Sequence, residues 1–99
     1  MIEKLELIGV YWEKALNLFC YKYQFPGQNV IMVKDTDKER AAKWFFIEFL
    51  KSLHYSLKWL YEEKRPDELR ALIEKMRGFN DVNINKTIEI FERHFVKIP

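Results

Sequence analysis

Two histidines, one cysteine and a closely spaced pair of aspartates are the residues of this 99-residue chain whose types invite chemistry. His54 and His94 fall on different predicted helices. Neither has a second histidine one helical turn away, the spacing that would aim two imidazoles at one zinc ion. A lone helical histidine is ordinarily a structural or exposed residue. Asp35 and Asp37 resemble the first two ligand positions of a calcium loop. The sixth position, however, is Arg40, where such a loop needs glycine for its sharp turn. Helix capping accounts for the two aspartates better. Cys20 is the only cysteine, which excludes an internal disulfide and a cysteine-based zinc site. With no histidine near it in sequence to act as a base, it reads as a buried, inert thiol. There is no phosphate-binding glycine loop and no nucleophile elbow. The expectation is therefore no catalytic residue, no metal ligand and no cofactor, and enzyme is the least supported class.

The richest stretch is AAKWFFIEFLKSLHYSLKWLY, residues 41–61. It is long enough to cross a bilayer, but Glu48 and Lys51 near its middle would each cost about 2.5–3.5 kcal/mol on insertion. Lys43, His54 and Lys58 add to that, so a membrane span is excluded. Wound at about 100° per residue, Ala42, Phe46, Phe49, Leu50, Leu53, Leu57 and Leu60 share one uninterrupted apolar sector, which should face a core. The opposite sector carries Arg40, Lys43, Lys51, His54, Lys58 and Arg65, with Trp44, Ile47, Tyr55 and Tyr61 on or beside it. Phe45 and Trp59 occupy a flanking sector with Ser52 and Ser56.

Two partner chemistries fit that outer face. Lysines could hold phosphates while Trp44 and Tyr55 stack on bases, as in single-strand nucleic-acid binders. Alternatively, the aromatics and Ile47 could pack on another protein. The candidate partner-binding residues are Lys43, Trp44, Ile47, Lys51, His54, Tyr55 and Lys58. A plain solvated surface competes with both readings. Glu39 with Lys43 and Lys58 with Glu62 are spaced for intrahelical pairing, and long basic side chains cover neighbouring rings with their stems.

The elements that position this face are read from periodicity and punctuation. At this length one domain over residues 1–99 is expected. With 48% hydrophobic and 16% aromatic residues a core is easily built. Seventeen basic side chains nearly balance fifteen acidic ones, and the resulting net charge of +2 argues mildly against a duplex binder. Leu5, Ile8, Trp12, Ala15, Leu16, Phe19 and Tyr23 recur at helical spacing, with Gly9 among them. Pro26-Gly27 suits a type II turn. Val30–Val33 (VIMV) would be a strand without a partner in an all-helical chain. It is read as an extended connector, or more sharply as an edge pairing with a second chain. Thr36-x-x-Glu39 forms a capping box for the next helix, with Asp37 also favouring its start. Pro66 suits the first turn of a third helix, whose inner stripe is Leu69, Leu72, Ile73 and Met76 and whose natural C′ stop is Gly78. The last helix buries Ile84, Ile88, Phe91 and Phe95, with a Glu89–Arg93 pair outside. The expected fold is an all-α bundle of four helices, at about residues 2–23, 37–64, 66–77 and 83–96, with an extended connector at about 24–36.

VYWEKALNLF, followed by the stretch from Phe45 to Met76, resembles a family of small all-helical proteins of unknown function. That family carries an aromatic-Glu-Ala-His-Glu motif on an early helix, before a long apolar helix and a leucine-rich third helix. Tyr11-Trp12-Glu13 carries the likeness. Ala15 or Lys14 stands where the histidine belongs, the second acid is missing, and no site residue is carried over. Rich in lysine, glutamate and isoleucine and with three glycines, the chain also resembles orphan proteins of thermophilic archaea and their viruses. Acids and lysines interrupt the N-terminal MIEKLELIGVYWEK, so no secretory signal is expected, and the single cysteine suits a cytoplasmic setting. The expected function is a non-enzymatic interaction or assembly module, with a homodimer as one form of it. The alternative is a nucleic-acid binder using the basic and aromatic face.

Overall fold

Phe19 and Tyr23 stand four residues apart, a spacing that fits one helical turn and also two strand repeats. The computed structural model, which describes residues 10–13 and 17–95, resolves this ambiguity as strand. β1 (Val10–Glu13), β2 (Leu18–Tyr23) and β3 (Ile31–Asp35) form an antiparallel sheet in the order β1-β2-β3. Three helices follow: α1 (Lys38–Glu62), α2 (Pro66–Arg77) and α3 (Val82–Phe95). The expected four-helix, all-α bundle is thus corrected to a three-stranded meander packed on the first of three helices, the other two lying against that helix.

The described part of the expected first helix is strand because Phe19, Tyr21 and Tyr23 alternate along one face of β2, and aromatic side chains suit a pleated surface. Asn17, at φ 55°, takes the left-handed conformation just before β2, a conformation asparagine tolerates. Leu5, Ile8, Gly9, Ala15 and Leu16 of the expected stripe lie outside the described residues. Tyr11-Trp12-Glu13, which carried the family resemblance on a helix, belongs to β1.

The presumed connector at 24–36 is instead a hairpin loop followed by β3. Val33 sits opposite Tyr21 and Ile31 opposite Tyr23, so most of VIMV finds its strand partner within the chain. Phe25 to Gln28 closes a turn, the Gln28 amide donating to the Phe25 carbonyl at 3.1 Å with Gly27 at φ +73°. This is the geometry a Pro-Gly type II turn requires.

One face of the sheet packs on α1. Tyr21 stacks on Phe45 with ring centres 5.5 Å apart, and Phe25 meets Phe49 edge-on at 4.8 Å. Phe45 and Ser56, expected on a flank, are therefore fully covered, because the flank is where the sheet lies. Leu53, Leu57 and Leu60 are buried in the same core as Leu72 and Met76 of α2 and Ile84, Ile88 and Phe91 of α3. Leu50 is only half-buried.

The helix ends differ in detail from expectation. Asp37, not Thr36, is the N-cap of α1, its carboxylate accepting from the Glu39 and Arg40 amides. At the other end the Arg65 amide reaches the Leu60 carbonyl at 3.0 Å and the Lys64 amide reaches Tyr61 at 3.2 Å, a Schellman pattern. Its left-handed residue is Lys64, at φ 55°. Gly78 caps α2 with right-handed φ, so it is not the left-handed stop; Asn80, at φ 53°, takes that role two residues on. Asp81 then caps α3 through the Asn83 and Ile84 amides.

Candidate interaction face

Two clamps fix α1 antiparallel along β3. At the first, Asp35 at the end of β3 accepts from the Arg40 Nε and Nη2, both at 2.7 Å, and from the Asp37 amide at 2.9 Å. The Arg40 guanidinium, with help from that amide, holds the Asp35 carboxyl far below the usual carboxylate range. The same pairing raises the pKa of Arg40. At the second clamp, the buried Ser56 hydroxyl donates to the Pro26 carbonyl at 2.7 Å. Three residues further on, Trp59 lies flat over Gly27, and the Arg65 guanidinium lies 4.8 Å from the centre of its ring.

With its other sides occupied, α1 leaves one stripe uncovered. Trp44 is 56% exposed, Ile47 38% and Tyr55 57%, with Glu48 and Lys51 between them. Positions 44, 48, 51 and 55 follow helical spacing, so they form one line. Beside it runs the edge of the sheet, where Val30 and Met32 are 44% and 48% exposed. Among the described residues no strand lies beyond β3. A groove of about 400 Å³ separates strand and helix, lined by residues 28–33 on one side and by Glu48, Lys51, Ser52 and Tyr55 on the other. A second groove, about 290 Å³, runs between α1 and α3 past Leu50, His54, Thr87 and Ile90. Lys51 and Tyr55 line both, forming the ridge between them.

The seven candidate residues thus divide. Lys43, Trp44, Ile47, Lys51 and Tyr55 lie open. His54 and Lys58 turn toward α3 instead: the His54 ring sits 6.1 Å from that of Phe95, and the Lys58 ammonium 5.8 Å from the same ring. Lys51 pairs with Glu48 at 3.7 Å. The two pairs expected from spacing, Glu39–Lys43 and Lys58–Glu62, do not form among the described residues. Glu48 lies on this stripe although the seven candidates left it out, and Val30 and Met32 belong to the run whose sharper reading was an edge open to a second chain. The available signal was VIMV itself, an apolar run without the proline or charge that usually blunts an edge.

No family model, curated protein or solved structure matches this chain.

Its chemistry must therefore be judged from the side chains alone. Among the described residues, no three of His, Cys, Asp and Glu gather as a metal-binding set. Cys20 is fully buried on β2 and His94 is exposed on α3. No helix among the described residues is long and apolar enough to cross a membrane.

Proposed function

We propose that this protein is a non-catalytic interaction or assembly module that presents the outer stripe of α1 and the adjoining edge of β3 to another protein. The observation that carries this reading is the row of exposed apolar side chains on α1 beside an open strand edge. Trp44, Ile47 and Tyr55 line one helix face, and the uncovered edge of β3 lies across a shared groove from Tyr55. Exposed apolar side chains aligned in this way mark interaction sites, and aromatic residues are enriched in them. The same geometry weakens the nucleic-acid alternative. The basic line is broken by Glu48, whose negative charge sits 3.7 Å from Lys51, while Lys58 lies over Phe95. Phosphate tracking needs a continuous row of free cations. An intracellular setting belongs to this reading, in keeping with a single, buried thiol.

Hydroxyl-radical labelling of Trp44, Tyr55 and Met32 tests the proposal by comparing the protein in its source cells with purified protein at high dilution. Protection of all three in cells is the expected result, unchanged by nuclease treatment. Equal labelling in both settings refutes the interaction reading. Protection that nuclease removes transfers the face to nucleic acid.

A further inference from the structure

Building on that reading, we propose that the occupant of the face is a second copy of this chain, joined about a twofold axis so that the two β3 strands pair antiparallel and the two α1 stripes lie side by side. The argument is one of self-complementarity. A twofold contact sets each position against its mirror position, so a surface fits its own copy only if its sequence of side chains reads sensibly in reverse. The exposed stripe of α1 does so. Read forward it is aromatic, acid, base, aromatic, in the order Trp44, Glu48, Lys51, Tyr55. Reversed against itself, Glu48 meets Lys51 of the second copy, Trp44 meets Tyr55, and no like charges face each other. The intrahelical Glu48–Lys51 contact, at 3.7 Å and with both side chains at least half exposed, leaves each partner free to engage across the axis.

The sheet edge obeys the same rule. With Ile31 opposite its own copy, Val30 pairs with Met32 twice over, and the two exposed apolar residues of the edge cover each other. Lys34 and Asp35 then fall outside the paired centre, so the Asp35–Arg40 clamp is undisturbed. The layers are also compatible. α1 packs on both β2 and β3 of its own chain, so two copies joined at β3 would carry their α1 helices as neighbours on one face of a continuous six-stranded sheet. An unrelated extended peptide could use the backbone edge, but it would have no reason to match the reversed order of charges on α1.

Sedimentation over a hundredfold concentration range reads the association, with charge reversal as the probe. Glu48→Lys sets lysine against Lys51 of the second copy at two places in the dimer, and it should raise the dissociation constant about tenfold or more. Lys51→Glu should do the same. The double variant Glu48→Lys, Lys51→Glu restores opposite charges and should return the constant to within about threefold of the parent. Both sites are exposed, so far-UV circular dichroism should be unchanged throughout. A strict monomer overturns the second-copy proposal, and so does a dimer insensitive to either reversal or one not rescued by the double change. If the purified protein is monomeric while Trp44 and Tyr55 remain protected in cells, the face belongs to a different protein and the interaction reading stands.

Discussion

Gly27→Ala tests how the hairpin is held against α1. Gly27 sits at φ +73°, where a residue with a Cβ is strained by about 1–2 kcal/mol. The larger effect is steric. An added Cβ would lie 2.4 Å from Trp59 Cδ2 and 2.5 Å from Cε3, whereas ordinary contact begins near 3.4 Å. The indole must retreat by about an ångström, disturbing its contact with the Arg65 guanidinium, and overpacking of this kind costs about 1–3 kcal/mol. The substitution should therefore destabilise the protein by about 2–5 kcal/mol in all. In a Trp59→Ala background the clash is gone, and the same change should cost only the backbone strain of about 1–2 kcal/mol. The assay is urea unfolding followed by far-UV circular dichroism, because a tryptophan probe is itself being altered. Protein concentration is held fixed, since any association would shift the apparent stability. A cost for Gly27→Ala that is equal in both backgrounds, within about 0.5 kcal/mol, would refute the argument, because uncoupled sites simply add.

Two further outcomes follow from the ends of α1. Lys64 supplies the left-handed residue of the Schellman turn at φ 55°, so Lys64→Gly should stabilise the protein by about 0.5–1 kcal/mol and raise the thermal midpoint by several degrees. An unchanged or lowered midpoint would show that the turn stores no such strain. The folded-state pKa of Asp35 is depressed below its ordinary value of 3.8, so its contribution to stability is fully present above that value and is lost as pH falls through the folded pKa. The stability difference between parent and Asp35→Asn should accordingly be constant above about pH 5 and shrink in stronger acid. A difference that grows on acidification would reverse the assigned sign.

How much was visible in the sequence depends on which neighbours each residue needed. The second half of the chain was legible because its signals are local. Asp and Pro mark helix starts, and the stripes Leu72–Met76 and Ile84–Ile88–Phe91 are buried as their spacing predicts. The first half was misread because Phe19 and Tyr23 satisfy both periods, and the deciding contacts are long-range ones: Tyr21 on Phe45, and Phe25 on Phe49. That single error propagated. Without a sheet, Phe45, Ser56 and Trp59 had no surface to pack on and were assigned to a flank, and VIMV had no partner. The open face itself was largely readable, since Trp44, Ile47 and Tyr55 lie outside the apolar sector of any straight helix. What the helical wheel could not show was that His54 and Lys58 face α3, because the position of Phe95 is a property of tertiary packing.

The clamps at the two ends of α1 bear on function as well as on stability. A helix of 25 residues with one side on a sheet and others against two helices has a single direction left, and that direction is ordinarily polar. Here it carries a tryptophan, an isoleucine and a tyrosine, interrupted by one acid and one base. None of the three can swing into the protein's own core, because Asp35–Arg40 fixes one end of the helix and Ser56–Pro26 with Trp59–Gly27 fixes the other. Contacts held in place before a partner arrives avoid part of the ordering cost of association. The same rigidity keeps the β3 edge at a constant distance from the stripe, so strand and helix present themselves together. If the proposed face does bind a partner, a loosened clamp should weaken that association, which would tie the stability of the hairpin turn at Gly27 to the face beside its neighbouring strand.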